Sequence, residues 1–277
     1  MLPLLQLAKN FRVLAKNQGI IFAMQHYLGY LGYRHYSIIE YPNGMKAIVR
    51  TNNFWRKISE EGWENHTIRY LQVTIQQGQT VIDVGGYLGS YTILMSMLVG
   101  ESGQVHTFEP DPIAFPLLQD NIQKNKLENI FLNELALSEE NGKISLISRN
   151  FFGHSGSSIA DIRKGNNYVE ALVNTVTLDD YCKAHSIKPD LIKIDVEGGE
   201  FKVLNGAKKT INTYAPKIIL EYHNNYLSKD DSLELWTYLI SESKEIKYLG
   251  GEGNVYTYNE ELRNLPEEDI FRISITF

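Results

Sequence analysis

The run Thr80-Val-Ile-Asp-Val-Gly-Gly-Tyr-Leu-Gly-Ser-Tyr-Thr92 limits what this 277-residue chain can fold into more than any other stretch. Val81, Ile82 and Val84 suit a parallel strand buried on both faces, and Gly85, Gly86 and Gly89 permit a tight turn with close backbone approach before a helix begins. Strand, glycine turn and helix in that order imply an open α/β sheet, in which ligands bind at the carboxyl ends of the strands. Asp83 stands at that end, and an acid followed by these glycines suggests an adenosine-bearing cofactor laid across the turn. Glycine turns of this kind also occur without a ligand, so the next strand pattern carries weight. It is Gln104-Val-His-Thr-Phe-Glu-Pro-Asp111, ended by Glu109 and stopped by Pro110. A carboxylate at the tip of the neighbouring strand, about 20 residues beyond the turn, can accept hydrogen bonds from both ribose hydroxyls. The plainer role for Glu109 is to place negative charge near the next helix N-terminus.

A 43% hydrophobic content and this length allow one sizeable core with an accessory segment. The division expected is an N-terminal segment over 1–60 and a main domain over 61–277. A net charge of −6 without runs of Lys or Arg gives no electrostatic footprint for nucleic acid. The single cysteine, Cys182, excludes an intrachain disulfide framework and a cysteine zinc site, and fits a reducing cytoplasm. No run of about 18 apolar residues exists, and Lys9, Arg12 and Lys16 interrupt any signal-peptide block.

Residues 4–28 show an apolar helical stripe (Leu4, Leu7, Ala8, Phe11, Leu14, Ala15), expected to pack on the main domain or on a twin subunit rather than on lipid. A hairpin follows over 36–50, with Asn43-Gly44 supplying the positive φ angles of its turn. A helix over 61–73 leads to the cofactor strand and should bring Trp63 and Glu64 to the entrance of the site. A third strand, 130–135, runs into Ala136, where adenine is expected to lie. The loop 151–158, rich in Gly and Ser and containing His154, either closes over substrate or stays disordered. Thr177-Leu-Asp-Asp180 matches a capping box. In Asp190-Leu-Ile-Lys-Ile-Asp-Val-Glu-Gly-Gly-Glu200 a strand ends at Asp195, and Asp195, Glu197 and Glu200 crowd the turn after it. Such crowding costs free energy unless a cation, a hydroxyl or helix amides relieve it. Lys217–His223 is a fifth strand that brings Glu221 and His223 to the same edge. Residues 231–244 read as a helix, and 248–258 with 270–277 as a closing antiparallel pair.

These motifs resemble the FkbM-type S-adenosylmethionine-dependent methyltransferases over roughly 62–223. The match rests on D-V-G-G-Y-L-G at 83–89, F-E-P at 108–110, A-L-S at 136–138, T-L-D-D at 177–180 and K-I-D-V-E-G-G-E with V-L-N-G-A at 193–207. The resemblance implies a Rossmann-like class I fold, a seven-stranded, mostly parallel sheet in the order 3-2-1-4-5-7-6. It also implies O-methylation of a hydroxyl on a sugar, polyketide or other small metabolite. Gly86 stands where related sequences often have alanine, a change expected to be harmless or slightly loosening. The cofactor contacts expected are Asp83, Gly85, Gly86, Gly89, Glu109, Pro110, Ala136 and Asp195. For the chemistry, Asp195, Glu197 and His223 are the groups expected to orient the acceptor or take its proton. No metal is assigned, since no spacing motif supports one, although a divalent ion between Asp195 and Glu221 or His223 is chemically conceivable. A nicotinamide oxidoreductase would share the strand and ribose acid, but the turn lacks G-x-G-x-x-G. A scaffold without activity is disfavoured by the presence of Asp83, Glu109 and Asp195.

Overall fold

The computed structural model describes residues 35–51, 64–149, 157–159, 168–223, 226, 229–249, 255–257 and 270–277, together with Ile20 and Met24. In chain order, a hairpin of β1 (His35–Glu40) and β2 (Lys46–Thr51) is followed by α1 (Asn65–Thr74), β3 (Thr80–Val84), α2 (Ser90–Val99), β4 (Gln104–Phe108) and α3 (Ala114–Asn125). Next come β5 (Ile130–Asn133), β6 (Ala136–Leu137), β7 (Gly142–Arg149), β8 (Tyr168–Val176), α4 (Leu178–His185) and β9 (Leu191–Ile194). The chain then runs through α5 (Glu200–Asn205), α6 (Lys208–Tyr214), β10 (Lys217–His223), α7 (Lys229–Glu242), β11 (Glu245–Leu249), β12 (Val255–Thr257) and β13 (Ile270–Thr276).

The main sheet has the order β12-β11-β13-β10-β9-β3-β4-β5. From β5 to β11 this is the expected 3-2-1-4-5-7-6 arrangement, with β3 parallel to both β4 and β9 and with β13 inserted antiparallel between β10 and β11. One strand is additional. The run 248–258 is not a single strand: β11 pairs with β13 on one edge, and β12 pairs antiparallel with β11 on its other edge.

Side chains alternate between the two faces of the sheet, and the core divides accordingly. Val81, Val105, Leu191 and Ile219 pack with buried residues of α1, α2, α3 and the hairpin, whereas Ile82, Ile192, Ile218 and Leu220 pack with α4, α5, α6 and α7. Cys182 is buried in the second layer, where burial pushes its thiol up to about 11, as suits a packed thiol. The hairpin is fastened to α3 by Asn121 and Asn125, whose side-chain oxygens accept from the amides of Arg50 (2.6 Å) and Ile48 (2.8 Å). Its turn departs from expectation. Only Gly44 has a positive φ (81°), and its amide donates to Tyr41 O at 2.8 Å.

The capping box before α4 is half realised. Thr177 Oγ1 accepts from the Asp180 amide at 3.1 Å, but the Thr177 amide donates to Asn141 Oδ1 at 2.8 Å instead of to Asp180. Asn141 also donates to Asp180 Oδ2 at 2.6 Å and so completes the box from a distant loop. No helix among the described residues is long and apolar enough to cross a membrane. The stripe over 4–28 lies outside the described residues except for Ile20 and Met24, both helical and exposed.

Candidate active site

A cavity of about 330 Å3 opens at the carboxyl ends of β3, β4 and β9, the edge at which an open α/β sheet binds ligands. Gly85, Gly86, Glu109, Pro110, Ala136, Asp195 and Glu197 line it, as do Glu64, Lys193, Glu221 and Arg272. The hairpin contributes Ile39 and Thr51, so part of the N-terminal segment belongs to the cavity wall. From the loop 151–158 the described part is Ser157 and Ser158; Ser157 reaches the cavity and donates to Asp111 Oδ2 at 2.6 Å. Trp63 and His154 lie outside the described residues.

Glu109 occupies one end. Its carboxylate accepts from the Tyr87 amide at 2.7 Å and the Asp111 amide at 2.8 Å, so the glycine turn and the start of the next segment hold it from both sides. Burial, and then the nearby Asp111 carboxylate, push its pKa up to about 8. An ionised Glu109 has these two amides to set against burial and the Asp111 charge, and a hydroxyl-bearing ligand would add further donors. Phe108, Pro110, Leu135, Ala136 and Leu137 form an apolar slot beside it.

The other end is acidic. Lys193 is buried in β9 with its ammonium 3.3 Å from Asp195 Oδ2, 3.5 Å from Asp83 Oδ1 and 4.8 Å from the centre of the Tyr91 ring. Burial works against the charge on Lys193, but Asp195 and Asp83 outweigh it and keep the ammonium protonated. Burial also opposes ionisation of Asp195, yet Lys193, His223 and Arg272 together hold its pKa below the usual range. Arg272 clamps Glu221 with two hydrogen bonds (2.7 and 3.0 Å) and donates a third to Glu64 Oε1 at 2.7 Å; Tyr91 also donates to Glu64. Despite that clamp, burial and the neighbouring Asp195 and Glu64 push Glu221 up to about 8. The low Asp195 and the high Glu221 divide this end into a fixed anion and a group that titrates near neutrality.

Three expected contacts do not face the cavity. Asp83 is fully buried below it, where Thr92 Oγ1 donates to its Oδ2 at 2.5 Å and Lys193 lies beside its other oxygen. Gly89 starts α2 away from the cavity lining. His223 is buried with Nδ1 2.7 Å from Glu200 Oε1, and it does not line the cavity either. Burial opposes its charge, but Glu200 and then Glu197 and Asp195 outweigh it and raise its pKa to about 10, which favours the imidazolium while these acids stand alone around it.

The glycine turn is constrained from within the protein. A β-carbon on Gly85 would lie 1.8 Å from the backbone oxygen of Asp195, at a φ of +88° that disfavours side chains. The requirement for Gly85 is thus protein against protein: it lets the cofactor turn and the acidic turn touch. At Gly86 a β-carbon would stand 2.4 Å from Thr107 Oγ1, so alanine there would have to displace a buried hydroxyl. Lys193, Tyr91 and Arg272 were not singled out from the sequence. A charged residue inside the apolar run Leu191-Ile-Lys-Ile194 is the local signal that marks Lys193, since a buried lysine needs a paired acid.

A family model described as "Methyltransferase FkbM domain" matches residues 83–257. The chain belongs to the FkbM methyltransferase family. It is 28% identical over 199 residues to hexuronic acid methyltransferase AglP of Haloferax volcanii, covering 72% of this chain and 76% of that protein. It is 33% identical over 141 residues to 2-O-methyltransferase NoeI of Sinorhizobium fredii, covering 45% of this chain and 55% of that one. A crystal structure of an FkbM methyltransferase from Methylobacillus flagellatus superposes with a TM-score of 0.47 at 13% identity, over 92% of this chain and 59% of that one. Family membership and the order of the central sheet together make this FkbM protein a methyltransferase with the S-adenosylmethionine-dependent class I fold.

Proposed function

We propose that the cavity binds S-adenosylmethionine with its ribose at Glu109 and its methionine portion toward Asp195, and that the enzyme methylates a hydroxyl oxygen of a sugar-like small molecule. The observation that carries this reading is the buried carboxylate of Glu109 at the tip of β4, held by two amides and flanked by an apolar slot. Two ribose hydroxyls would add further donors to such a group, and the slot formed by Phe108, Pro110 and Ala136 suits an adenine ring. A volume of about 330 Å3 falls in the range of small-molecule sites.

The bound sulfonium supplies an electrophilic methyl group. The chain supplies placement, which for a displacement of this kind is a large share of the acceleration. Asp195, held ionised by Lys193, is suited to the methionine ammonium or to the acceptor hydroxyl. Glu197 and Glu221 stand on the same wall as carboxylates able to receive the hydroxyl proton. The sugar class is supported by the names of the two relatives, a hexuronic acid methyltransferase and a 2-O-methyltransferase.

The test is incubation of the protein with methyl-labelled S-adenosylmethionine and a panel of hexuronic acids, neutral glycosides, amines and catechols, read by mass spectrometry. Label on a sugar oxygen is the expected product. Label found on nitrogen or on a carboxylate, or on the non-sugar hydroxyls alone, would overturn the acceptor assignment.

A further inference from the structure

We infer that Asp195, Glu197 and His223 form a binding site for one divalent cation at the acidic end of the cavity. The inference relies on the proposed function for its chemical use but not for its existence. One ligand atom from each of these residues lies within 4.8 Å of the others. The decisive group is His223, whose ring is 1% exposed and whose Nδ1 is engaged by Glu200 at 2.7 Å. That bond fixes the ring and leaves Nε2 directed at Glu197 Oε2 (3.5 Å), Glu221 Oε1 (3.8 Å) and Asp195 Oδ1 (3.9 Å). None of the three contacts is a hydrogen bond of ordinary length, which for nitrogen to oxygen is about 2.7 to 3.2 Å. Ligands bonded at about 2.1 Å to one ion stand roughly 3 to 3.6 Å apart, so a small inward movement would seat a cation where a proton cannot serve three oxygens at once.

The surroundings have the form of a metal site rather than of an ion-pair network alone. A ligating imidazole commonly gives its second nitrogen to a carboxylate, which orients the ring and raises its basicity; Glu200, fully buried, occupies that position. Arg272 is committed to Glu64 and Glu221, and Lys193 to Asp83 and to Oδ2 of Asp195, which leaves Asp195 Oδ1 on the His223 side. Two carboxylates with one imidazole make a mixed oxygen and nitrogen donor set that suits Mn2+ and its near relatives better than Ca2+. Asp195 and Glu197 also line the cavity, so an ion held there could take an acceptor hydroxyl as a further ligand and acidify it.

The probe is Mn2+ alone, added to the purified protein without cofactor and followed by electron paramagnetic resonance. One tightly bound ion per chain is expected, with spin-echo modulation from a directly coordinated 14N nucleus. Asp195→Asn should weaken binding by about tenfold or more, and His223→Ala should abolish the nitrogen modulation. The inference is overturned if protein that binds S-adenosylhomocysteine takes up no stoichiometric Mn2+, or if the bound ion shows no nitrogen coupling. Should both variants fail to fold, the nitrogen signal of the unsubstituted protein decides by its presence or absence. Nitrogen-ligated Mn2+ in a protein that does not bind S-adenosylhomocysteine would sink the methyl-donor reading and leave the metal site standing.

Discussion

Glu109 and Asp195 both follow parallel strands, on either side of β3, and are supported in opposite ways. Glu109 is held by two main-chain amides, one from Asp111 just after it and one from Tyr87 in the glycine turn beside it. Asp195 is held by side chains, in a network that reaches from Glu64 to Arg272. Main-chain support depends on the local path of the backbone and tolerates changes elsewhere. Side-chain support depends on every member, because a buried charge that loses its partner is costly. One end of the cavity is therefore expected to be robust and the other brittle.

The largest effect should come from the joint between the two ends. Gly85→Ala adds left-handed strain and drives a methyl group into the Asp195 carbonyl, and urea titration should show a loss of about 3 to 5 kcal/mol. A loss below about 1 kcal/mol would mean that the two turns do not touch as described. Arg272→Met should come next, at about 3 kcal/mol, since it strands Glu64 and Glu221 together. Both acids already have pKa values raised above their ordinary 4.5, Glu221 to about 8. The stability a raised acid contributes is complete below its unfolded pKa and is lost as pH rises through its folded one. The variant should therefore lose more stability at pH 8 than at pH 5, and equal losses at the two values would break the contrast.

At the robust end, Glu109→Ala should fold while its dissociation constant for S-adenosylhomocysteine, measured by calorimetry, rises by at least about tenfold. Glu109 follows the same sign rule. With its pKa moved from 4.5 to about 8, the melting temperature of the unliganded protein should fall as pH rises across that window. Saturating S-adenosylhomocysteine should flatten this slope, because ribose hydroxyls would serve the ionised form; an unchanged slope removes Glu109 from the ribose. The smallest effect sharpens the comparison from outside. Thr177→Ala removes the cap of α4 and should cost about 1 kcal/mol with no change in ligand affinity.

The same contrast explains what could be read from the sequence. The strand-turn-helix at 80–92 and the acid at 109 are local in the chain, so their spacing alone placed them at one sheet edge, and Gly85, Gly86, Glu109, Pro110, Ala136, Asp195 and Glu197 do meet around one cavity. Three positions stand off the cavity wall for reasons that spacing does not carry. Asp83 points into the sheet, where register sets it opposite Lys193. Gly89 belongs to the helix start, and His223 turns toward Glu200, a partner its own strand does not contain. The Glu64–Arg272 pair joins residues separated by 208 positions, and nothing in either neighbourhood announces the other. The strand Arg272-Ile-Ser-Ile-Thr-Phe277 reads from its alternation as a half-buried strand with an ordinary polar face, and only insertion between β10 and β11 turns its arginine into the cavity.

That insertion sets an order of assembly on the ribosome. The amides that hold Glu109 come from residues 87 and 111, all of which have emerged before half the chain is made. Arg272 arrives with β13, which must enter between two strands synthesised earlier. Until it does, Glu64 and Glu221 are without the cation they share. A nascent chain can thus complete the wall around Glu109 before the acidic end of the cavity receives the cation that joins its two carboxylates.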